Sequence, residues 1–504
     1  MTTETDRPAL DDRRWKALGV CLAAGFISLL DVSIVNVALP SMERGLGASE
    51  ATQSWVVSGY ALAFGLALAP AGRLGDLRGR RQALLFGLGL FTAASVACGL
   101  AAGPTWLVVF RLVQGAAAGV VAPQTSGLIQ QMFQGAERAR AFGFHGSVVA
   151  VSTAVGPLAG GLLIQAFGTD DGWRWVFFVN VPIGVAALIA GHRLLPRLPV
   201  PSDKREKFDP LGVLLLGTGV LALLLPLVQE QQWQGRAKWV LLPVGALLLG
   251  VFWLWERIRG SQGKAPLVDL GLFSLRSFTL GTLISLTFFA GLTTIFFVLS
   301  LFLQNSVAYS ALAAGVTILP FAVASAVGAA FGGRLVMRYG RSLVVIGLSA
   351  VVLGLLGVVL AVQLVPGEGV GWAMALPLVI GGIGSGLTVS PNTTLTLMLV
   401  PVRRAGAAGG VMQTGQRIGS AMGIAVVGAV YFAHLSNHGR ATTALQLGLL
   451  TAMAIILVAL VLAVADLRER RAHPGSDDLA ATPLRGVGES GAGGPGGPQP
   501  SAQR

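Results

Sequence analysis

One carboxylate lies deep inside an apolar segment of this chain, and its position makes it the first candidate for chemistry. Asp31 follows a run of mostly apolar residues that begins at Ala17, and nine residues of the same segment follow it. At 1.5 Å per helical residue it lies about 21 Å from Ala17, within the hydrocarbon if the segment crosses a bilayer. Ionisable groups are costly there and mark ion or proton pathways. We therefore predict a proton or cation site at Asp31, in preference to a structural carboxylate paired permanently with an arginine.

Arg111 is the matching cation in the fourth apolar segment. It lies about 10 Å from the start of that segment, at a depth similar to that of Asp31. Gln114 and Gly115 follow at i+3 and i+4 and share its helix face, which predicts contact with another helix. Whether Arg111 and Asp31 pair is left open by the sequence.

The fifth segment carries Gly156-Pro157 and then Gly160-Gly161. Small residues at i and i+4 permit the close approach of another helix, and proline bends a helix. Ordinary helix packing and a gating role explain this pattern equally well.

A substrate cavity is predicted from polar and aromatic side chains inside the segments. Gln114, Phe289 and Phe296 are the candidates for its lining, although aromatic side chains in membrane helices more often contact lipid or neighbouring helices. Arg417, near one end of the thirteenth segment, is interpreted as structural because its long side chain can reach the interface.

Other kinds of site are disfavoured by the sequence. It contains no Gly-Lys-Ser/Thr phosphate loop and no cluster of histidine and cysteine ligands. An ATP-driven pump and a metal site therefore lack the residues that they need. A membrane enzyme or a receptor would need a catalytic constellation or a sizeable domain outside the membrane, and neither is visible.

The segments that position these residues are long and apolar. Hydrophobic residues make up 53% of the 504 residues and charged residues 12%, whereas soluble domains are roughly 25% charged. The mean hydropathy is +0.71. Fourteen apolar runs have the length of about 20 residues that crosses a bilayer. The sequence therefore predicts an all-α integral membrane protein with fourteen transmembrane helices.

The net charge of +13 comes from short basic clusters between the apolar runs. Alternate loops hold twenty-seven and five arginine and lysine residues, which places both termini in the cytoplasm. A nucleic-acid-binding protein would instead concentrate its basic residues on one face or in one tail. Cys21 and Cys98 lie inside apolar runs, so we expect no disulfide.

A polar stretch between the second and third segments occurs twice in the chain. Residues 72–81 read Gly-Arg-Leu-Gly-Asp-Leu-Arg-Gly-Arg-Arg, and residues 333–341 repeat the pattern with Met337 in place of Asp76. The repeat predicts a duplicated six-span unit, with spans seven and eight inserted between the copies. We accordingly divide the chain into a cytoplasmic tail (1–14), a six-helix bundle (15–195), a linker with the inserted helix pair (196–276), a second six-helix bundle (277–466) and a disordered cytoplasmic tail (467–504).

Several of these stretches resemble motifs of the major facilitator superfamily. Residues 72–81 are similar to its motif A, and residues 111–115 are similar to motif B of the fourth span. Residues 30–40 resemble the first-span motif of the fourteen-span drug:proton antiporters, with Ser33 where threonine is more usual. Residues 156–161 resemble the antiporter motif C, and residues 173–182 resemble the start of span six in that subgroup.

The resemblance implies a major facilitator fold and a proton-driven exporter whose two halves rock around a central cavity. It implies proton coupling by Asp31 and Arg111. An antiport role would fall to Gly156, Pro157 and Gly160, and a conformational latch to Gly72, Gly75, Asp76, Arg78, Gly79 and Arg80.

The expected substrate is a small hydrophobic or cationic drug or antibiotic. The alternative is one endogenous metabolite or lipid-like compound, which would use the same machinery. We expect a monomer in the plasma membrane that contacts lipid and binds no nucleic acid. It should need no cofactor and should draw its energy from the proton gradient.

Overall fold

The fold is a set of long helices connected by short loops. A computed structural model describes residues 13–197, 209–229, 233, 235–262, 264–365, 367, 369–436 and 439–472. These residues contain the helices α1 Arg13–Leu46, α2 Glu50–Arg78, α3 Arg80–Gly99, α4 Pro104–Met132, α5 Gly135–Phe167, α6 Gly172–Phe178, α7 Asn180–Leu194, α8 Pro210–Val228, α9 Leu241–Ser261, α10 Arg276–Asn305, α11 Ala311–Tyr339, α12 Arg341–Leu364, α13 Val370–Leu397, α14 Ala405–Ser436 and α15 Ala441–Ala472.

Fourteen spans in the described residues are long and apolar enough to cross a bilayer, so the predicted number is confirmed. The helices α6 and α7 are separated by Val179 and together form the sixth span, Gly172–Leu194. From the seventh span onward, the number of the helix is therefore one higher than the number of the span, so that the seventh span is α8. Side-chain caps fix the first turn of several helices. The Ser49 hydroxyl accepts a hydrogen bond from the backbone of Thr52 at the start of α2, for example.

Helices α1 to α7 pack into one bundle and α10 to α15 into a second, each around a core made mainly of its own apolar side chains. Apolar burial alone does not hold helices together in lipid, and close packing at small residues does so instead. In the second bundle a Cβ atom on Gly386 of α13 would lie 2.2 Å from the backbone oxygen of Ser325 on α11. Glycine at this position therefore sets the distance between the two helices.

The two bundles meet through equivalent pairs of helices. The second helix of the first bundle, α2, contacts the fifth helix of the second, α14, and α5 contacts α11 in the same way. Both contacts are tight at the inner end, where α1 begins and α15 ends. A Cβ atom on Gly72 would lie 2.3 Å from the Gly406 oxygen, and one on Gly333 would lie 2.5 Å from the Ala139 oxygen. In both contacts the second helix of one bundle packs against the fifth helix of the other. This is the arrangement expected of a duplicated six-span unit.

The repeated polar stretch is more helical than the sequence predicts. The helix α2 continues to Arg78 and α3 begins at Arg80, so the turn is reduced to Gly79 with a φ of +104°. Gly340, the equivalent residue of the second copy, has a φ of +52° between α11 and α12. These positive values favour glycine because it has no Cβ atom. The predicted ten-residue loop is thus corrected to a one-residue break.

Helices α8 and α9 pack on each other, and α8 also packs against α2 and α14. The Gln229 side chain donates a hydrogen bond of 2.9 Å to the Ser58 hydroxyl of α2. At the other end of the chain α15 continues to Ala472, so the predicted disordered tail begins with a helical segment. The remainder of that tail, residues 1–12 and most of the 196–208 linker lie outside the described residues.

Candidate functional site

Asp31 and Arg111 meet between α1 and α4 in the first bundle. Their side chains are 0% and 1% exposed, and Arg111 Nη1 donates a hydrogen bond to Asp31 Oδ2. Arg111 Nε also donates to the backbone oxygen of Val56 on α2, at 2.9 Å. The pairing that the sequence leaves open is therefore present in this conformation. A buried ion pair is favourable only when further hydrogen bonds complete it, and these are present.

Two amides complete the carboxylate's environment. Asp31 Oδ1 accepts hydrogen bonds from Gln114 Nε2 at 2.9 Å and from Asn180 Nδ2 at 3.1 Å. Gln114 also accepts from Arg111 at 2.8 Å and donates to Ser95 at 2.8 Å. Residues of α1, α3, α4 and α7 thus converge on one buried carboxylate, which is held by three donors.

Asn180 and Tyr60 belong to this site but were not predicted as site residues. Asn180 begins α7, so the break after α6 places it beside Asp31. The Tyr60 ring lies 4.2 Å from the Arg111 guanidinium, and its hydroxyl donates to the Ser28 backbone oxygen at 2.9 Å. Asn180 could have been recognised from the motif-like stretch around it. Tyr60 could not, because it is an ordinary aromatic residue in the sequence.

The glycines of the fifth span lie directly against the first span, beside Asp31. A Cβ atom on Gly156 would lie 2.0 Å from Ser33 Oγ, and one on Gly160 would lie 3.1 Å from Ile34. Ser33 in turn donates to the backbone oxygen of Ser152 on α5 at 3.1 Å. Gly161 faces open space instead, and a Cβ atom added there would have no neighbour within 4 Å. Gly156 and Gly160 therefore permit the close contact of α5 with the helix that carries the carboxylate.

Asp76 connects the two bundles at the inner end. Its two carboxylate oxygens accept hydrogen bonds from the backbone amides of Gly406 at 3.0 Å and Ala407 at 2.8 Å, in the first turn of α14. Arg80 donates to the same carboxylate at 2.7 and 2.9 Å and to the Gly127 oxygen at 2.9 Å. A carboxylate at a helix N-terminus is stabilised by the free amides and the helix dipole.

The remaining motif A residues have different surroundings. Gly72 and Gly75 lie in close contact with Gly406 and with the Gln124 side chain, and Gly79 forms the turn. Arg78 is exposed and makes no contact with Asp76. Arg78 is the last residue of α2, and its place in the latch stays a prediction.

The second copy of the motif uses a carboxylate from elsewhere in the chain. Arg341, equivalent to Arg80, pairs with Asp466 of α15 at 2.5 Å and also bonds the side chain of Asn392. Arg341 and Asp466 are both buried. Asp31 alone was predicted from the sequence as a deep carboxylate, so Asp466 was missed as a buried charge. Met337 was the feature of the sequence that indicated a carboxylate from elsewhere. It replaces Asp76 in the second copy and leaves Arg341 without the acid that the first copy provides.

A cavity of about 80 Å³ lies between the bundles and is bordered by α1, α2, α4, α5, α10, α13 and α14. Phe289, a candidate for the substrate cavity, borders it. Gln114 does not, because its amide is bonded within the Asp31 site, and Phe296 packs edge-on against Phe321 in the second bundle, with ring centroids 5.1 Å apart. Drug-sized ligands occupy pockets of roughly 300–1,000 Å³. The cavity must therefore widen before such a molecule fits.

Arg417 projects into this cavity, and its predicted reach to the interface is wrong. Twelve residues separate it from Ala405 at the start of α14, a depth of about 18 Å. Its guanidinium lies 4.6 Å from the centre of the Phe64 ring. Within the described parts of the chain, no group of three or more His, Cys, Asp or Glu side chains is arranged to hold a metal ion.

Comparison with known proteins agrees with this fold. Residues 21–424 match the family model of the Major Facilitator Superfamily. The chain therefore belongs to the major facilitator superfamily, and it is a multi-pass membrane transporter and not an enzyme.

Relatives give the same family, and a solved structure gives the same fold. The probable actinorhodin transporter of Streptomyces coelicolor is 37% identical, over 85% of this chain and 74% of the relative. The puromycin resistance protein pur8 of Streptomyces alboniger is 34% identical, over 86% of each chain. The crystal structure of the human organic anion transporter MFSD10 superposes with a TM-score of 0.63 at 15% identity. It covers 91% of this chain and all of that one, and it shows the fold alone.

Proposed function

We propose that this protein exports a hydrophobic drug or antibiotic across the plasma membrane in exchange for protons, with both termini in the cytoplasm. The observation that carries the proposal is the buried Asp31 carboxylate, held by Arg111, Gln114 and Asn180 in the first bundle. Relatives described as antibiotic transport and resistance proteins support the kind of substrate. The basic loops support the orientation.

Asp31 is the residue proposed to take up and release the proton. In the described conformation its carboxylate has three hydrogen-bond donors, an arrangement that stabilises the charged form. When a proton binds, the ion pair with Arg111 is lost and the guanidinium must find other acceptors. Val56 and Gln114 already accept from it, so the arginine can remain in place while the charge balance of the site changes.

Gly156 and Ser33 connect the helix that carries this carboxylate to α5, which forms part of the interface between the two bundles. The helix α5 contacts α1 two residues beyond Asp31 and contacts α11 of the second bundle on its other side. The hydroxyl of Ser147 on α5 donates to the Ala326 oxygen of α11 at 2.6 Å. A displacement of α1 at Asp31 is thus passed to the contact between the two bundles.

Asp76 is proposed to stabilise the state that is closed on the cytoplasmic side. Its bonds to Gly406 and Ala407 cross from one bundle to the other. Opening of the inner end would break both bonds and would expose the carboxylate and the amides to water. The latch therefore acts on the equilibrium between conformations, and proton binding is assigned to Asp31.

Energised export from cells tests the proposal. The protein is expressed in a host that lacks its own drug exporters, and the accumulation of a panel of antibiotics and dyes is measured with and without a protonophore. We expect lower accumulation in energised cells and loss of the difference after the protonophore is added. Export that persists without the proton gradient would contradict proton coupling. Export of a single compound from a broad panel would instead favour the dedicated exporter of one metabolite.

A further inference from the structure

The charge of the central cavity is positive. Of the described residues that border it, Arg417 is a permanent cation, His145 is titratable, and none is aspartate or glutamate. The other polar side chains are neutral, among them Ser126, Gln413 and Gln416. A ligand in this cavity therefore meets a guanidinium and no carboxylate.

Arg417 has no acidic partner in the described part of the chain. Its guanidinium forms neither an ion pair nor a hydrogen bond there, and it lies over the face of Phe64 at 4.6 Å. The neighbouring Gln413 amide is directed away, to Ser126 on α4 at 3.4 Å. An arginine about 18 Å from the helix start cannot extend to the interface. An unpaired cation at this depth is costly and marks a site whose counter-charge comes from elsewhere.

His145 provides a second polar group of the same cavity, on a helix of the other bundle. Its side chain on α5 borders the same cavity, and Nδ1 is buried without a hydrogen-bond partner. Buried polar atoms in folded proteins are normally satisfied. Arg417 on α14 and His145 on α5 belong to different bundles, so a polar group held between them would contact both halves of the protein.

We propose that Arg417 binds an anionic group of the substrate, and that the exported compounds are hydrophobic organic acids. A guanidinium presents paired N–H donors that match a carboxylate or an ionised acidic phenol. Phe64 and Phe289 supply apolar walls for the rest of the molecule. This inference rests on the proposed export function and replaces the expectation of a cationic substrate, since a cation would be repelled by Arg417.

Two matched sets of probes test the inference. The anionic set is fluorescein and novobiocin, and the cationic set is ethidium and tetraphenylphosphonium. Accumulation is measured in the exporter-deficient host for the wild type, Arg417→Gln, Arg417→Lys and Arg417→Glu. The control Arg440→Gln removes one positive charge from an exposed position outside the cavity. Membrane content is measured by immunoblot, and the ratio of anion to cation export is the readout.

We expect the wild type and Arg440→Gln to export the anionic set. Arg417→Gln should lower anion export roughly tenfold, as expected for the loss of one charge-assisted contact, and Arg417→Lys should restore part of it. Arg417→Glu should move the preference towards the cationic set, a gain that a misfolded variant cannot produce.

Two results would overturn the inference and leave the proposed function intact. In the first the wild type exports the cationic set and not the anionic one. In the second Arg417→Gln exports the anionic set as the wild type does. Failure of the wild type to export either set would contradict drug export itself, and the inference with it.

Discussion

Arg111 and Arg417 lie over the two rings of one stacked aromatic pair on α2. The Arg111 guanidinium is 4.2 Å from the Tyr60 ring and the Arg417 guanidinium 4.6 Å from the Phe64 ring. The rings themselves are nearly parallel, with centroids 6.2 Å apart and an angle of 15°. The proposed proton site and the cavity are thus connected through three adjacent contacts. A change at Asp31 that alters the position of Arg111 also acts on the cavity wall.

Asp31→Asn tests the proton site. The substitution keeps the shape of the side chain and removes its charge and its ability to exchange a proton. We expect normal amounts of protein in the membrane and loss of proton-coupled drug export. The measurement is proton movement on addition of drug to energised everted vesicles. Asp171→Asn, at an exposed carboxylate beside Arg174, is the control and should behave as the wild type. Normal coupled proton movement in Asp31→Asn would make this residue structural.

Gly156→Ala tests the contact between α5 and α1. The added methyl group would lie 2.0 Å from Ser33 Oγ, so the helices must separate. Overpacking of this kind costs about 1–3 kcal/mol. We expect a lower thermal midpoint of the purified protein and severely reduced export.

Gly161→Ala is the matched control for that substitution. It lies on the same helix and adds the same methyl group, but into open space. Its thermal midpoint and export rate should equal those of the wild type. Equal effects of the two substitutions would show that the cost comes from glycine replacement in α5 and not from the contact with α1.

Asp76→Asn tests the latch. The amide keeps the size of the side chain but weakens the bonds to Arg80 and to the first turn of α14. A loss of about 1.4 kcal/mol would shift the conformational equilibrium tenfold towards the state that is open on the inner side. Spin labels at positions 82 and 403, one in each bundle, should then show a new population at longer distance.

Arg78→Gln serves as the control for the latch, because its side chain is exposed and outside the Asp76 network. The label distances should match those of the wild type. An unchanged distribution in Asp76→Asn would mean that the glycine contacts close the inner end without help from the carboxylate.

Export of an acid makes transport sensitive to the membrane potential. One monovalent anion leaving and one proton entering both move positive charge inward, so two charges cross in each cycle. An inside-negative potential contributes about 2.3 kcal/mol for each charge and each 100 mV. In proteoliposomes with potassium and valinomycin, an imposed inside-negative potential should accelerate the export of novobiocin, which is a monovalent anion at neutral pH. A rate that is independent of potential would contradict this stoichiometry.

The number of spans and the position of the motifs were predictable because they depend on local sequence. Apolar runs of bilayer length determine the helices, and the deep Asp31 stands out against them. The repeat of the polar stretch was also visible in the sequence, although the reduction of each copy to a single glycine break at Gly79 and Gly340 was not.

The direction of the side chains was not predictable in the same way. Arg417 extends into the cavity because α14 packs against α2, a contact between residues far apart in sequence. Asp466 is buried against Arg341 of α12, and Arg341 is itself held by the Asn392 side chain of α13. Phe296 and Phe289 are both aromatic residues of α10, yet one packs on Phe321 and the other borders the cavity. Such differences depend on the tertiary arrangement.

The two bundles meet along two contacts, here called seams, one between α2 and α14 and one between α5 and α11. The inserted helix α8 covers only the first of these seams. Val220 and Leu224 of α8 pack with Leu62 of α2 and Ala421 of α14, so α8 lies across one seam. Among the described helices, neither α8 nor α9 packs against the other seam, between α5 and α11. A hydrophobic molecule dissolved in the bilayer therefore meets α8 on one side of the transporter and the α5–α11 contact itself on the other. Lateral entry from the membrane would be restricted to the α5 side.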